Sequence, residues 1–466
     1  MTLEAPRRWE WQYCIAAGLV LAFRAVLLWQ YGILEWPDSG GYTDIARQIL
    51  GAGSLHDFLM GNLNISSSRT IGYPLVLAAA MAFAGPAWPW VMVGIQLAGL
   101  LWMLWWLYRL GVALGVGRGF AAFATGVFAC SHLAIYEGSI LTDALTTHLT
   151  VISLAMMLVP MLEGTKPGML RMLGAGFILA YAFLIREATL YLLPVIVMVF
   201  IGVAVVRGWR PRDMARMIAC FVLPAILVWQ GYMELILVRT GYRCMATIGR
   251  TVYFMHPLAI EGRGKQVLRN PVLREAVDAT TSWYIYGHAR EIDAYLAKKY
   301  KMNEWERLAL AKAAYWQAWR SYPVAMAIES LKELRPKYAL LLADPSANVI
   351  DVNVTEETVR RSLSGKESIA VKLLQAPFRL FSAVVFLCCA IGIPAYVVFP
   401  RLRRNAPANL DGLAACWLLF AALIGMYAMI HMEFRHFLQV QAFAVLSGLV
   451  VLRHIALALW EHNSRG

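Results

Sequence analysis

Apolar runs of roughly 17–25 residues alternate with short polar gaps along most of the chain, the length at which a helix crosses a bilayer core. The runs lie near 13–34, 89–108, 118–136, 143–162, 171–186, 188–206, 214–238, 376–399, 411–430 and 437–456. The stretch 73–85 is apolar too, but it is well short of a span and is bracketed by Pro74 and Pro86. It reads as a short outer helix or a re-entrant piece. The expected fold class is an all-α polytopic membrane protein with about ten to eleven transmembrane helices.

Two of the gaps are long. In 35–88, Tyr42, Ile45, Ala46, Ile49 and Leu50 recur at helical spacing. That stripe predicts an amphipathic helix over 38–53, lying on the membrane surface. The segment 239–372 is mixed in charge and rich in Tyr and Trp, with helix-like stretches near 286–321 and 323–335. It is long enough for a cap domain. The chain thus divides into a transmembrane module 1–238, containing the outer loop 35–88, a cap 239–372 and terminal spans in 373–466. No internal repeat is visible, which counts against a repeat-built secondary transporter.

Charge sets the orientation. Basic clusters fall at Arg7 and Arg8, Arg109 and Arg118, Lys166 and Arg171, Arg207 to Arg216, Arg401 to Arg404, and Arg453 with the tail. Cytoplasmic loops collect Lys and Arg, so these gaps lie inside, with the N-terminus. The remaining gaps carry Asp38, Asp143, Arg186, Glu433 and Arg435 on the outer face.

Composition narrows the class. The 466 residues are 60% hydrophobic and 15% charged, with mean hydropathy +0.57, which excludes an ordinary soluble domain. The net charge of +13 sits largely in loops that orient the chain, so a nucleic-acid partner is not expected. No cleavable signal peptide is apparent, since the first apolar run is span length. Six of the seven Cys lie in or beside apolar runs, which argues against a disulfide framework.

The candidate chemistry gathers outside. Asp38 follows the first span in Pro37-Asp38-Ser39-Gly40-Gly41-Tyr42, and Asp143 follows Glu137 in the short turn before another span. Either could cap a helix. Two acids from different hairpins could also share a divalent cation, or one could accept a proton from an acceptor hydroxyl. The cationic partners are Arg69, Arg186 and Arg435, which could hold a phosphate by charge-assisted hydrogen bonds. They could equally snorkel to headgroups, or pair with Glu187 or Glu433. Arg24, deep in the first span, needs a partner.

Four motifs together resemble bacterial GT-C glycosyltransferases, relatives of the protein O-mannosyltransferases and of the lipid A aminoarabinose transferase. Asp38 with Tyr42 resembles the first-loop Asp motif. Arg69-Thr70-Ile71-Gly72-Tyr73-Pro74 resembles the Arg-x-x-Gly-Tyr-Pro segment. The stretch from Ser139 through Asp143 resembles the second acidic motif, and Glu433-Phe434-Arg435-His436 the late Glu-x-Arg-Tyr segment, with His436 in place of Tyr.

The resemblance implies an enzyme of the bacterial inner membrane. It would move a sugar from a polyprenyl-phosphate donor to a lipid, glycan or protein acceptor on the periplasmic face, by inverting chemistry. Asp38 would be catalytic, as general base or metal ligand, with Asp143 the second catalytic acid and the other candidate ligand of a divalent cation. Arg186, Arg435 and Arg69 would bind the carrier phosphate, with Tyr42, Glu137, Tyr73, Glu433 and His436 as further site candidates. A flippase or a carrier-binding subunit for polyprenyl-linked glycans is the alternative.

Overall fold

The computed structural model describes residues 10–53, 56–57, 69–131, 133–262, 264, 266–282, 285–332, 380–404, 406–407, 409–430 and 438–464. Its elements are helices, with an isolated parallel bridge between Leu34 and Ser139. Among the described residues, eight helical stretches are long and apolar enough to cross a membrane.

Burial separates the middle of the bundle from its rim. The Thr142–Leu162 stretch is 89% buried over its span window, whereas Trp11–Tyr31 is 17% buried and turns most of its surface outward. Thr142–Leu162 packs between Trp88–Ala113 and Met169–Ile185, and Met169–Ile185 in turn packs along Pro211–Thr240. That last approach is close because position 176 is glycine. A Cβ there would run into the carbonyl oxygen of Phe221. The central helix is also the most polar inside, with Thr146, Thr147, His148, Thr150 and Ser153 fully buried. Thr146 and Thr147 return their hydroxyls to the carbonyls of Thr142 and Asp143 one turn earlier, so neither is left unsatisfied.

Among the apolar runs, one is broken and two form short helices. The run 118–136 forms a helix only over Arg118–Ala129, and a separate short helix follows at Leu133–Glu137. The break has a partner: the Arg24 guanidinium donates to the terminal carbonyl of Ala129 and to the Glu137 carboxylate. A buried cation therefore satisfies a helix end and a buried anion at once. The run 171–186 is a 17-residue helix, Met169–Ile185. The stretch 73–85 forms a 13-residue helix, Gly72–Ala84, leading through a 3-10 turn at Gly85–Ala87 into Trp88–Ala113. At 1.5 Å per residue, Gly72–Ala84 rises about 20 Å, short of a hydrocarbon core of about 30 Å.

The amphipathic stripe of the first long gap is the helix Pro37–Gly51, which buries Tyr42, Ile45, Ala46 and Ile49. The described part of the second gap is a helical cap: Gly249–Glu261, Pro271–Asp278, Ile285–Tyr300, Glu304–Ser321 and Pro323–Lys332. The expected stretch 286–321 is split, because Lys301 takes positive φ and Asn303 opens a new helix. The Asn303 side chain accepts from the N–H groups of Trp305 and Glu306, and Glu306 accepts from the Asn303 N–H, a reciprocal cap. The cap has its own core around Phe254, Leu258, Leu273, Ile292 and Leu296. Asp293 ties it internally, accepting from Arg250 at 2.9 Å and Arg307 at 2.8 Å. It docks on the bundle where Gly249–Glu261 and Pro323–Lys332 meet Leu410–Ile430, and the Tyr315 hydroxyl donates to the Met429 carbonyl at 2.7 Å.

Candidate functional site

The two acidic motifs arrive at one end of the bundle by the same local device. Pro37–Gly51 and Thr142–Leu162 each carry an Asp at the second helical position, Asp38 and Asp143, where the positive helix end favours an anion. Neither Asp is the N-cap residue; Trp36 and Leu141 occupy those places. The two helix starts are pinned together. Leu34 and Ile140 exchange backbone bonds with Gly138 and Leu34, Trp36 Nε1 donates to Ser139 Oγ at 3.0 Å, and Ser39 Oγ donates to the Ile140 carbonyl at 2.8 Å.

Each acid holds an arginine. Arg69 Nη2 donates to Asp38 Oδ1 at 2.7 Å, and its guanidinium lies 4.9 Å from the Tyr42 ring centre. The Arg186 guanidinium donates to Asp143 Oδ1. Asp143 is 1% exposed and Arg186 14%, so the pair is largely buried, with Arg186 on the side that lines the cavity. Asp143 Oδ2 and the Tyr73 hydroxyl are buried without a hydrogen bond, while the Tyr73 ring meets that of Tyr42 edge-on at 5.3 Å.

The Arg69 motif and the Arg186 turn are also locked to each other. Thr70 Oγ1 donates to the Ile185 carbonyl at 3.0 Å, and the Tyr181 hydroxyl to the Gly72 carbonyl at 2.9 Å. Gly72 itself lies so close to that turn that a Cβ would sit 2.5 Å from the Leu184 carbonyl carbon. Only glycine allows this approach.

Above these pairs lies a cavity of about 380 Å³, in the range that holds small ligands. Asp38, Tyr42, Arg69 and Arg186 line it from the bundle. Trp229, Met233, Met426 and Tyr427 line it from the spans Pro211–Thr240 and Leu410–Ile430, while Cys244, Tyr253 and Lys312 come from the connection and cap above. Burial pushes the Cys244 thiol up to about 11, with Lys312 pulling it down and Glu187 pushing it further up. Burial likewise raises Tyr253, which stays a neutral phenol.

Asp38, Arg69, Tyr42 and Arg186 are thus brought to one cavity, with Asp143 and Tyr73 packed behind it. Glu137 lies elsewhere, fully buried between Arg24 and His148 Nε2, the latter at 3.0 Å. Glu433, Arg435 and His436 fall outside the described residues. The sequence reading did not single out Glu187, Tyr191, Trp229, Arg243, Tyr253 or Lys312 as site residues, yet all of them line the cavity. Glu187 was visible beside Arg186, but only as its ion-pair partner, a place Asp143 takes. The cap residues carry no local signal, because their position depends on how the cap folds back.

The donor set fits a divalent cation poorly. The described residues contain no group of three or more His, Cys, Asp or Glu side chains, and an arginine occupies one oxygen of each candidate Asp. Hard cations take six or more oxygens, or waters in their place.

No protein-family model matches the sequence, and no curated protein matches it. Among solved structures, the chain is similar to the oligosaccharyltransferase AglB from Archaeoglobus fulgidus, in complex with an inhibitory peptide and a dolichol-phosphate. That match has a TM-score of 0.50 and 12% identity over 98% of this chain and 52% of that one. An apo oligosaccharyltransferase from the same archaeon gives 0.50 and 13%, over 99% and 52%. ArnT from Cupriavidus metallidurans bound to undecaprenyl phosphate gives 0.35 and 15%, over 94% and 78%, a likeness too slight to add to the argument. The chain spans about half the length of the archaeal structures it matches. Identity this low speaks for the fold alone, and the fold shared is that of the archaeal oligosaccharyltransferase structures.

Proposed function

We propose that this chain is a membrane glycosyltransferase. It takes a sugar from a polyprenyl-phosphate carrier and passes it to an acceptor at the cap side of the bundle, the periplasmic face of a bacterial inner membrane. The observation that carries this reading is the cavity itself: Asp38, Arg69 and Arg186 converge there, between walls from membrane-spanning helices and a roof from the cap. A lipid-borne donor can reach such a site from the bilayer while an acceptor arrives from water.

The chemistry is a single displacement. An acceptor oxygen bonds to the anomeric carbon as the bond from that carbon to the phosphate oxygen breaks, and the electron pair leaves on the phosphate. Configuration inverts and no covalent enzyme intermediate forms. Arg186, steadied by Asp143, receives the leaving phosphate, with Arg69 beside it. Asp38 faces the positive charge that develops on the sugar ring. Arg435 and the rest of the late motif belong to this reading through the motif alone. No step is assigned to a metal, given the donor set.

Full-length protein in nanodiscs, supplied with a panel of undecaprenyl-phosphate sugars, tests the reading by release of free undecaprenyl phosphate. Asp38→Asn is expected to lower kcat by about 10²–10³-fold. Asp44→Asn, on the exposed face of the same helix beside Arg47, should leave it unchanged. Equal effects of the two substitutions would remove Asp38 from the chemistry. Tight carrier binding without release from any donor would favour the flippase or carrier-binding reading. A parallel arm with EDTA reads metal dependence directly.

A further inference from the structure

We propose that Glu187 takes the proton from an acceptor hydroxyl, and that the acceptor is a carbohydrate seated against Tyr191, Trp229 and Tyr253. This rests on the transferase reading above and assigns its acceptor side.

Three carboxylates stand in or directly behind the cavity: Asp38, Asp143 and Glu187. A proton acceptor needs a free lone pair facing the nucleophile. Asp38 is engaged by Arg69, and Asp143 is buried behind Arg186. Glu187 is half-buried, lines the cavity, and has neither a hydrogen bond nor an ion pair to any described residue. Both of its oxygens are therefore available to a ligand, whereas Arg69 holds one oxygen of Asp38.

Its direction suits the task. Arg186 has extended backbone, with φ −148° and ψ 110°, and a 3-10 turn begins at Glu187. Successive side chains on extended backbone point to opposite sides. Arg186 pairs with Asp143 in the bundle, and Glu187 lines the cavity together with Cys244 and Tyr253 of the connection and cap. In an inverting displacement the leaving phosphate and the incoming hydroxyl occupy opposite sides of the sugar. One turn of chain therefore supplies both poles, Arg186 for the phosphate and Glu187 for the hydroxyl. The proton goes to the Glu187 carboxylate as the new C–O bond forms.

The walls point to a carbohydrate. Tyr191 is 51% exposed toward the cavity side of its turn, with Trp229 and Tyr253 lining the same space. Apolar ring faces flanked by polar groups suit a sugar ring. Lys312 stands over the Tyr253 ring at 5.8 Å and makes no ion pair among the described residues. It is available as a donor to the acceptor's remaining oxygens.

The experiment uses the full chain in nanodiscs, with undecaprenyl-phosphate glucose, mannose and arabinose as donors. Octyl glycosides and a Ser/Thr-containing peptide serve as acceptors. Glu187→Gln is expected to lower kcat about 10²–10⁴-fold, to leave donor KM nearly unchanged, and to abolish the acid limb of the pH–rate profile. Glu187→Asp should keep that limb at reduced kcat, which also decides the matter if the Gln variant misfolds. An active wild type with near-normal kcat and an intact acid limb in Glu187→Gln overturns the role of Glu187 alone. Transfer to the peptide but to no glycoside overturns the carbohydrate assignment. No carrier release by wild type from any donor overturns the transferase reading, and this proposal with it.

Discussion

The buried residues of this protein divide by whether their charge is compensated inside the bundle or left for a ligand. Arg24, Glu137 and His148 are 2%, 0% and 0% exposed and compensate one another, and Gln96 Nε2 adds bonds of 3.0 Å to the carbonyls of Glu137 and Ser139. Removing one member of such a group leaves an uncompensated charge. Glu137→Ala is expected to destabilise the fold by about 3–5 kcal/mol, read as a lower thermal midpoint in detergent; an unchanged midpoint would mean the cluster contributes no stability. Cys244 reports on the cavity instead. With its thiol held near 11, alkylation should rise about tenfold per pH unit up to that point, since only the thiolate reacts. Lys312→Met removes a cation that favours the thiolate and should slow alkylation at pH 8. Glu187→Gln removes an opposing anion and should speed it. Mass spectrometry of the Cys244 peptide measures both, and reversed signs would displace Glu187 and Lys312 from that thiol.

At the scale of elements, the site is made by helix starts and one tight contact. Two helices begin with an Asp at the second position, and two arginines from neighbouring turns close on them. What holds the arginine turns in register is Gly72 against Leu184 and Ile185. Gly72→Ala must push that backbone away, at about 1–3 kcal/mol for an overpacked contact. Because Arg186 follows immediately, donor KM should rise in the folded fraction. A wild-type KM would mean that the turn yields without moving Arg186. Arg186→Ala should weaken undecaprenyl-phosphate binding more than Arg69→Lys, measured by lipid displacement in nanodiscs.

For the whole molecule, the relation between cap and bundle decides whether the cavity exists. One wall is transmembrane and the other is cap, and the Tyr315 hydroxyl joins the cap to the end of Leu410–Ile430. Tyr315→Phe deletes that bond while keeping the ring, and should cost about 0.5–1.5 kcal/mol of docking. Faster hydrogen exchange across Gly249–Glu261, with the spans unchanged, is the expected result. Uniform protection would show that apolar packing alone seats the cap.

Residue order alone makes the chain legible as a helical membrane protein, because span length and hydropathy are local properties that no packing can alter. It also determined the pairing of chemistry into motifs: Asp38 with Tyr42, Arg69 with Gly72 and Tyr73, Asp143, and Arg186. Which of these residues meet is set by the packing of the helices. Asp143 rather than Glu187 takes Arg186, and Glu137 turns inward to Arg24, because ion-pair choice depends on which helices are neighbours and not on distance along the chain. The break after Ala129 was hidden for the same reason, since the group that satisfies its carbonyl lies 105 residues away. Lys312 and Tyr253 joined the site only through the folding back of the cap, a long-range event that leaves no periodic trace in the residues themselves.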